Sequence, residues 1–560
     1  MVSTVDVAEF HCPANAEQEI MPCQTLIESP PRLSAAHASR SHWRRILPGV
    51  CLLIACLGAD AALVAGDRLG SQIGEIINAS EFKQAHWGIL VVDLAGGQTV
   101  FELNADRLFA PASVTKLFST AAALDGLGAE YRFVTPIVRR GEVDPSGELK
   151  GDLILIASGD PSLGGRTTAE GHIAFTNSDH TYANGSDKGE LTECNPLDGL
   201  GALASQVAKA GIKRVRGEVL VDDRLFEKEF GTGSGPRRLT PIMINDNLID
   251  LMITPSEPGK PAKVTWRPES AVVQVDARVD TVAAGEPVVT TIRAGEGRSI
   301  ILTGKIPAGH KPLVRVYEVA DAAAFARGLL IEELGRAGIA VDASPLAGHP
   351  QADLPPREVV ARLPRVARYV SPPFSESACL ILKVSHNLHA STLPLLLAAR
   401  KGKRTLEEGL RLQHEFLAKV GVDVNTISFG GGAGGAQADL VTPRATVQLL
   451  RYMHTRPDAS DYKSGLPILG MDGTLSDVVA PESPARGKVL AKTGTYFLEN
   501  VMNNRILLTS KALAGYMTDC TGRGLAFALF VNNVHLEKAG DTGRVGKTLG
   551  KLSEVIYQSE

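Results

Sequence analysis

Hydrophobic and polar positions divide this chain into two outer parts and a different middle. Near the start, Trp87-Gly-Ile-Leu-Val-Val-Asp93 and Gln98-Thr-Val-Phe-Glu-Leu103 flank Ala95-Gly96-Gly97, the pattern of a β-hairpin. Residues 111–124 carry the apolar spacing of a buried helix, which Gly126 and Gly128 stop. At the far end 489–494, 512–517 and 525–531 read as neighbouring strands, and 543–557 returns to helical spacing. Both ends therefore build one α/β unit, and something else is inserted between them.

The insert is expected over 141–364, where the patterns change. It opens with an apolar strand at 151–157, followed by a polar loop at 164–195 crowded with Gly, Asp, Asn, Ser and Thr. Such a loop reads as a mobile surface excursion rather than a site, and its His172 and His180 as solvated, because no partner spacing accompanies them. Between 248 and 316, short alternating runs such as Ala271-Val-Val-Gln-Val-Asp-Ala-Arg-Val279 are bounded by Gly and Pro. They predict a small all-β domain nested in the insert. A helix at 322–335 and a strand from Ala340 follow. The expected division is a leader and signal segment at 1–65, the outer domain at 66–140 and 365–560, and the insert between.

The N-terminus has the pattern of an export signal. Arg44-Arg45 precede an apolar stretch at 46–57, and small residues follow at Gly58, Ala59, Ala61 and Ala62. The stretch is short for a membrane span. Leu53-Ile54-Ala55-Cys56 also resembles a bacterial lipobox, which would place a lipid anchor on Cys56; a cleaved signal and a buried helix are the other readings. Exported, periplasmic or envelope-bound protein is the expectation, with the lipoprotein form open.

With 560 residues, 44% hydrophobic and 21% charged, the chain has room for two to four packed domains. A net charge of -4, with no basic run interleaved with aromatics, argues against nucleic acid as a partner. Of 7 cysteines only Cys194, Cys379 and Cys520 lie beyond the apolar segment, so this is no disulfide scaffold. Neither Cys-x-x-Cys nor His-Glu-x-x-His occurs, and no metal or other cofactor is expected.

Three short elements stand in order: Ser113-Val-Thr-Lys116, Ser385-His-Asn387 and Lys492-Thr-Gly494. Ser-x-x-Lys alone arises by chance about once or twice in a chain this long, and Ser460-Asp-Tyr-Lys463 is a decoy here. The ordered set supplies a nucleophile, its base, a proton relay and an anion-binding wall. A serine hydroxyl needs a base in contact. Ser113 and Lys116, three apart on a helix, share a face, so the amine reaches the hydroxyl. The lysine must be neutral to act, and burial beside a second cation, Lys492, would lower its pKa. Lys492 and Thr493 would also hold a carboxylate, Ser385 would pass the proton to a leaving amine, and Asn387 would bind a substrate amide and order Lys116.

The set resembles the active site of penicillin-recognising serine enzymes. The whole chain from about Ile73 onward resembles the D-alanyl-D-alanine carboxypeptidase/endopeptidase family of class C low-molecular-mass penicillin-binding proteins. The resemblance rests on Phe109-Ala-Pro-Ala-Ser-Val-Thr-Lys116, Gly159-Asp-Pro161, Val219-Leu-Val-Asp-Asp-Arg-Leu-Phe226, Gly304-Lys-Ile-Pro307, Asp472-Gly-Thr-Leu475, Leu490-Ala-Lys-Thr-Gly-Thr495 and Leu513-Ala-Gly-Tyr516. The long separation of the first two motifs adds to it. It implies an α/β fold, a serine β-lactamase/transpeptidase-like domain of antiparallel sheet and helices. That domain would carry a large insert that includes the small all-β domain. It further implies a secreted serine DD-peptidase without cofactor, trimming or cutting peptidoglycan stem peptides and binding β-lactams through an acyl-enzyme on Ser113. Catalytic roles fall to Ser113, Lys116 and Ser385, and substrate binding to Asn387, Lys492, Thr493, Gly494 and Thr495. The backbone N–H groups of Ser113 and Thr495 would form the oxyanion hole. A β-lactamase or esterase, and a non-catalytic envelope binding protein, remain the alternatives.

Two stretches depart from the family. Where it carries an Asp-Gly-Ser-Gly-Leu-Ser-Arg-like run, this chain reads Gly431-Gly-Ala-Gly-Gly-Ala-Gln437, with glycine at the Asp position and Gln437 at the Arg position. No Gly-Lys-Ser/Thr follows, so the run reads as a flexible loop, not a phosphate cradle. After the third motif, residues 496–505 are longer than the usual turn. Both changes fall near the expected pocket for the substrate side chain.

Overall fold

A computed structural model describes residues 59–559. The leader, Arg44-Arg45, the 46–57 stretch and Cys56 lie outside the described residues. Among the described residues no helix is long and apolar enough to cross a membrane.

The two ends of the chain meet in one antiparallel sheet. Its strands run in the order Val489–Asn500, Arg505–Thr518, Gly524–Asn532, His86–Asp93 and Thr99–Leu103, with Val534–Leu536 paired to the second. The central strands are apolar on both faces, as a sheet covered on both sides requires. Ile89, Val91, Phe527 and Leu529 pack with Val545, Leu549 and Leu552 of the helix Thr542–Tyr557. Leu90, Val92, Ala528 and Phe530 point the other way, into a helical layer. At its heart lies the helix Thr115–Leu127, buried from Thr115 to Leu124 and ended by Gly128 at φ 94°. The helices Phe374–Lys383, Asn387–Arg400 and Leu406–Lys419 surround it.

The insert is built on a second sheet. Val134–Val143 pairs with Glu148–Ile156, which pairs with Arg214–Val215 and Val219–Asp222. Arg365–Val370 pairs back onto Val134–Val143. The chain thus enters and leaves on adjacent strands, and the sheet begins before 141 and closes after 364. Between them, residues 248–318 form two three-stranded sheets.

Three expectations change. The polar 164–195 loop is not a solvated excursion: His180 is 3% exposed and packs inside the protein, whereas His172 stays outside against Glu376. The glycine-rich run is buried from Gly431 to Gly435 rather than loose. The long turn after the third motif is a hairpin that extends two sheet strands, with a register shift between Tyr496 and Phe497, and closes at Asn504, φ 49°. Val501 and Met502 are exposed at its tip, 81% and 88%.

Candidate active site

Ser113 sits in a single 3-10 turn, Ala112–Val114, that feeds the buried helix. Ala112 before it takes a left-handed φ of 46°, a conformation costing a non-glycine residue about 1–3 kcal/mol unless its surroundings impose it. The surroundings do. Asn532 brackets Ala110, accepting its N–H at 2.8 Å and donating to its carbonyl at 3.2 Å, while Ser510 donates to the same carbonyl at 2.7 Å. The third-motif strand presses closely enough that a Cβ on Gly494 would lie 2.4 Å from the Pro111 carbonyl. Only glycine lets that strand pass the nucleophile turn.

Lys116, fully buried one helical turn on, has three polar neighbours. Its Nζ lies 2.8 Å from Ser113 Oγ, 2.7 Å from Asn387 Oδ1 and 2.8 Å from the Ala433 carbonyl. Burial, then the charge of Lys492, push its pKa well below the usual lysine range, and Asp439 opposes them. Asp439 also closes the glycine-rich loop by accepting the N–H groups of Gly430 at 2.8 Å and Ala436 at 2.9 Å. Burial raises its carboxyl to about 6.

The second and third motifs meet through Lys492, whose Nζ donates to Ser385 Oγ and to the Thr493 carbonyl, both at 2.8 Å. Burial and Lys511 lower Lys492 to about 7. Ser385 has a left-handed φ of 64°, and its carbonyl accepts from Tyr182 of the insert loop at 2.5 Å. Ser113, Ser385, Asn387, Thr493 and Thr495 line one cleft of about 420 Å³. Lys116, Lys492 and Gly494 form its buried support. The structure brings every expected site residue together. The decoy lies elsewhere: Ser460 is exposed, and Lys463 meets His454 Nδ1 at 2.7 Å.

A family model described as the D-Ala-D-Ala carboxypeptidase 3 (S13) family matches residues 69–548. The chain belongs to this family of serine-type peptidases. It is 28% identical over 499 residues to a D-alanyl-D-alanine carboxypeptidase of an Actinomadura species, covering 85% of this chain and 83% of that one. It is 24% identical to the D-alanyl-D-alanine carboxypeptidase DacB of Haemophilus influenzae, over 81% of this chain and 88% of the relative. The fold is that of the crystal structure of penicillin binding protein 4 from Haemophilus influenzae. That match has TM-score 0.66 and 21% identity, and covers 87% of this chain and 99% of that one.

Four residues that this S13 chain places around the site escape the motif pattern: Asp246, Tyr182, Asp439 and Lys511. Asp246 is buried, 6% exposed. It lies in the triplet Asn245-Asp246-Asn247, all left-handed at φ 50°, 55° and 55°, a conformation that Asn and Asp tolerate best. Its Oδ2 accepts from Arg166 at 2.7 Å and pairs with His180 Nε2 at 2.9 Å; its Oδ1 pairs with His389 Nε2 at 2.7 Å. His386, inside the second motif, stacks on His389 with ring centroids 3.7 Å apart. Its Nε2 lies 3.3 Å from the same oxygen without a hydrogen-bonding angle. Among the described residues Asp246, His386 and His389 are the group whose ligand atoms could surround a metal ion. Arg166 and His180 already saturate one oxygen, and two stacked imidazoles cannot converge on one ion, so the donor set fits a charge network better than a metal. An Asn-Asp-Asn run between apolar stretches was the signal available in sequence.

Proposed function

We propose that the chain is an exported serine DD-peptidase that trims terminal D-Ala from peptidoglycan stem peptides, or cuts their D-Ala cross-links, through an acyl-enzyme on Ser113. The observation that carries this reading is the lysine amine. Asn387 Oδ1 and the Ala433 carbonyl can only accept, so a neutral amine donates its two hydrogens to them and turns its lone pair on Ser113 Oγ, 2.8 Å away. Depressed basicity is what such a base requires at neutral pH.

Ser113 Oγ attacks the penultimate D-Ala carbonyl as its proton moves to Lys116. The carbonyl oxygen gathers charge facing the N–H groups of Ser113 and Thr495, by the family resemblance. The Lys116 ammonium returns that proton through Ser385, held by Lys492, to the leaving amine as the C–N bond breaks, so D-Ala departs and Lys116 is neutral again. Water, deprotonated by the same base, then cleaves the ester and restores Ser113. β-Lactams would acylate the same oxygen. Export rests on the signal-like 46–57 segment behind Arg44-Arg45, with Cys56 as the site of a lipid anchor if the lipobox is read.

Mass spectrometry of the purified protein with benzylpenicillin and with a pentapeptide ending in D-Ala-D-Ala tests the reading. A long-lived acyl adduct together with D-Ala release supports it. Rapid penicillin turnover indicates a β-lactamase, and neither event leaves a non-catalytic fold. Ser113→Ala should abolish labelling; label that persists there and disappears with Ser460→Ala would move the nucleophile elsewhere.

A further inference from the structure

Ser385 joins two helices through a single strained residue. The helix Phe374–Lys383 ends on Val384, and the helix Asn387–Arg400 opens on His386, whose Nδ1 accepts the His389 N–H at 3.4 Å. Between them Ser385 takes its left-handed φ of 64°, and the His386 N–H donates back to the Ile381 carbonyl at 3.1 Å. That is the Schellman ending of a helix, which usually places glycine where Ser385 stands. A residue with a Cβ keeps this conformation only when its surroundings impose it. The same backbone sets the Ser385 hydroxyl 2.8 Å from Lys492 Nζ.

One imposing contact comes from the insert. The Tyr182 hydroxyl donates to the Ser385 carbonyl at 2.5 Å. The turn that presents it, His180–Gly185, is pinned along its length. Asp179 caps it by accepting the Thr181 N–H at 3.1 Å and the Thr181 hydroxyl at 2.8 Å, and is itself held by Arg166 at 2.7 Å. His180 is fixed between Asp246 and Asp250. Arg315 donates to the Ala183 carbonyl at 2.8 Å, and Asn184 exchanges hydrogen bonds with the backbone of Val316 at 2.8 and 2.9 Å. A loop that merely covers surface needs no such fixing; a pedestal for one side chain does. Tyr182 is the member of the turn that touches the second motif directly.

We propose that Tyr182 is a positioning residue for the proton relay. Its hydrogen bond holds the Ser385 peptide in the left-handed turn that sets the Ser385 hydroxyl between Lys492 and the leaving nitrogen. The proposal rests on the DD-peptidase reading of the cleft. An amide nitrogen must gain a proton as its C–N bond breaks, so its departure depends on the relay. A thiolate leaves as the anion while the proton on Lys116 goes to solvent, so a thioester of the same acyl group bypasses Ser385.

The test compares a diacylated Lys-D-Ala-D-Ala peptide with the thioester that carries a thiolate in place of the last amine. Tyr182→Phe deletes one hydroxyl and keeps the ring. It should lower kcat/KM for the peptide about tenfold and for the thioester no more than twofold to threefold. In a Ser385→Ala background the same change should cost the peptide less than twofold, because the residue acts through that hydroxyl. Tyr182 also lines the cleft, so peptide affinity is read separately by calorimetry on Ser113→Ala, where Tyr182→Phe should leave it within twofold. Equal losses on peptide and thioester, a loss that persists in Ser385→Ala, or a matching loss of affinity would each overturn the proposal; the last would make Tyr182 a substrate contact. A wild type that neither labels with penicillin nor releases D-Ala would refute the peptidase reading alone. The positioning is then read in a crystal structure of Tyr182→Phe, where the Ser385 hydroxyl should withdraw from Lys492; an unchanged Ser385 turn would refute it.

Discussion

Asp246 of the insert and His389, two residues beyond Asn387, meet at 2.7 Å beneath the catalytic cleft. The contact joins the insert to the helix that starts at the second motif, so the insert is part of what holds Ser385 and Asn387 in place. Asp246 is 6% exposed and carries Arg166, His180 and His389 at once. Removing one partner of such a buried ionic cluster leaves the others uncompensated, at a cost of about 3–5 kcal/mol. Asp246→Ala should lower the unfolding free energy by that order. Asp246→Asn, which keeps the shape, should fold better yet acylate more slowly than wild type. Denaturant titration and penicillin-labelling rates check both; an Asp246→Asn protein labelling at the wild-type rate would separate the cluster from catalysis.

The cluster also makes stability depend on pH. Burial would hold His180 down, but Asp250 at 2.5 Å and Asp246 at 2.9 Å overcome it and raise its pKa to about 9. A group raised on folding stabilises fully below its unfolded pKa of about 6.5 and loses that contribution as pH rises through the folded value. Lys492 and Lys511, both depressed, work in the opposite sense, so the useful quantity is a difference. The stability gap between wild type and His180→Asn should shrink between pH 6.5 and 9 by on the order of 2–3 kcal/mol. A gap constant with pH would mean that His180 is not charged in the fold.

Asp439 tunes the base by its charge. It favours the protonated form of Lys116, so neutralising it should make the amine easier to deprotonate. Acylation needs neutral Lys116 and therefore rises with pH through that lysine's pKa. In Asp439→Asn the acidic limb of the acylation rate should move to lower pH. A limb that stays in place, measured with stopped-flow penicillin labelling, would show the loop closure at Gly430 and Ala436 to be the residue's whole role.

The three motifs and the sheet beside them were legible because each leaves a local signature. Ser113 and Lys116 are one helical turn apart, and strands such as 525–531 are apolar at every position because both faces are covered. The hairpin after the third motif was visible as extra length. What escaped depends on contacts with no sequence period. His180 meets Asp246 across 66 residues, and nothing in the polar loop around it distinguishes it from His172. The glycine run reads as loose until Ala112 is seen against Gly434, where a Cβ would lie 1.9 Å from the Ala112 carbonyl. Lys511 hides in strand alternation and acquires meaning only opposite Thr495.

Substrate side-chain selection provides the last prediction. In the family an Arg at the position of Gln437 can hold a carboxylate on the stem-peptide side chain through a bidentate, charge-assisted contact. Here Gln437 is exposed, and among the described residues the cations lining the cleft are Lys511 and Lys547, with no arginine. Lys511 is engaged by Thr495 Oγ1 beside the third motif, at 2.8 Å. Loss of an ionic hydrogen bond costs about 1.5–3 kcal/mol, roughly ten- to a hundredfold in kcat/KM. The enzyme should therefore treat lysine- and diaminopimelate-type stem peptides within about tenfold of each other. Gln437→Arg should introduce a preference for the diaminopimelate form. The side-by-side kcat/KM on wild type decides it: a preference above about a hundredfold for diaminopimelate would require another cation, with Lys547 the first to replace.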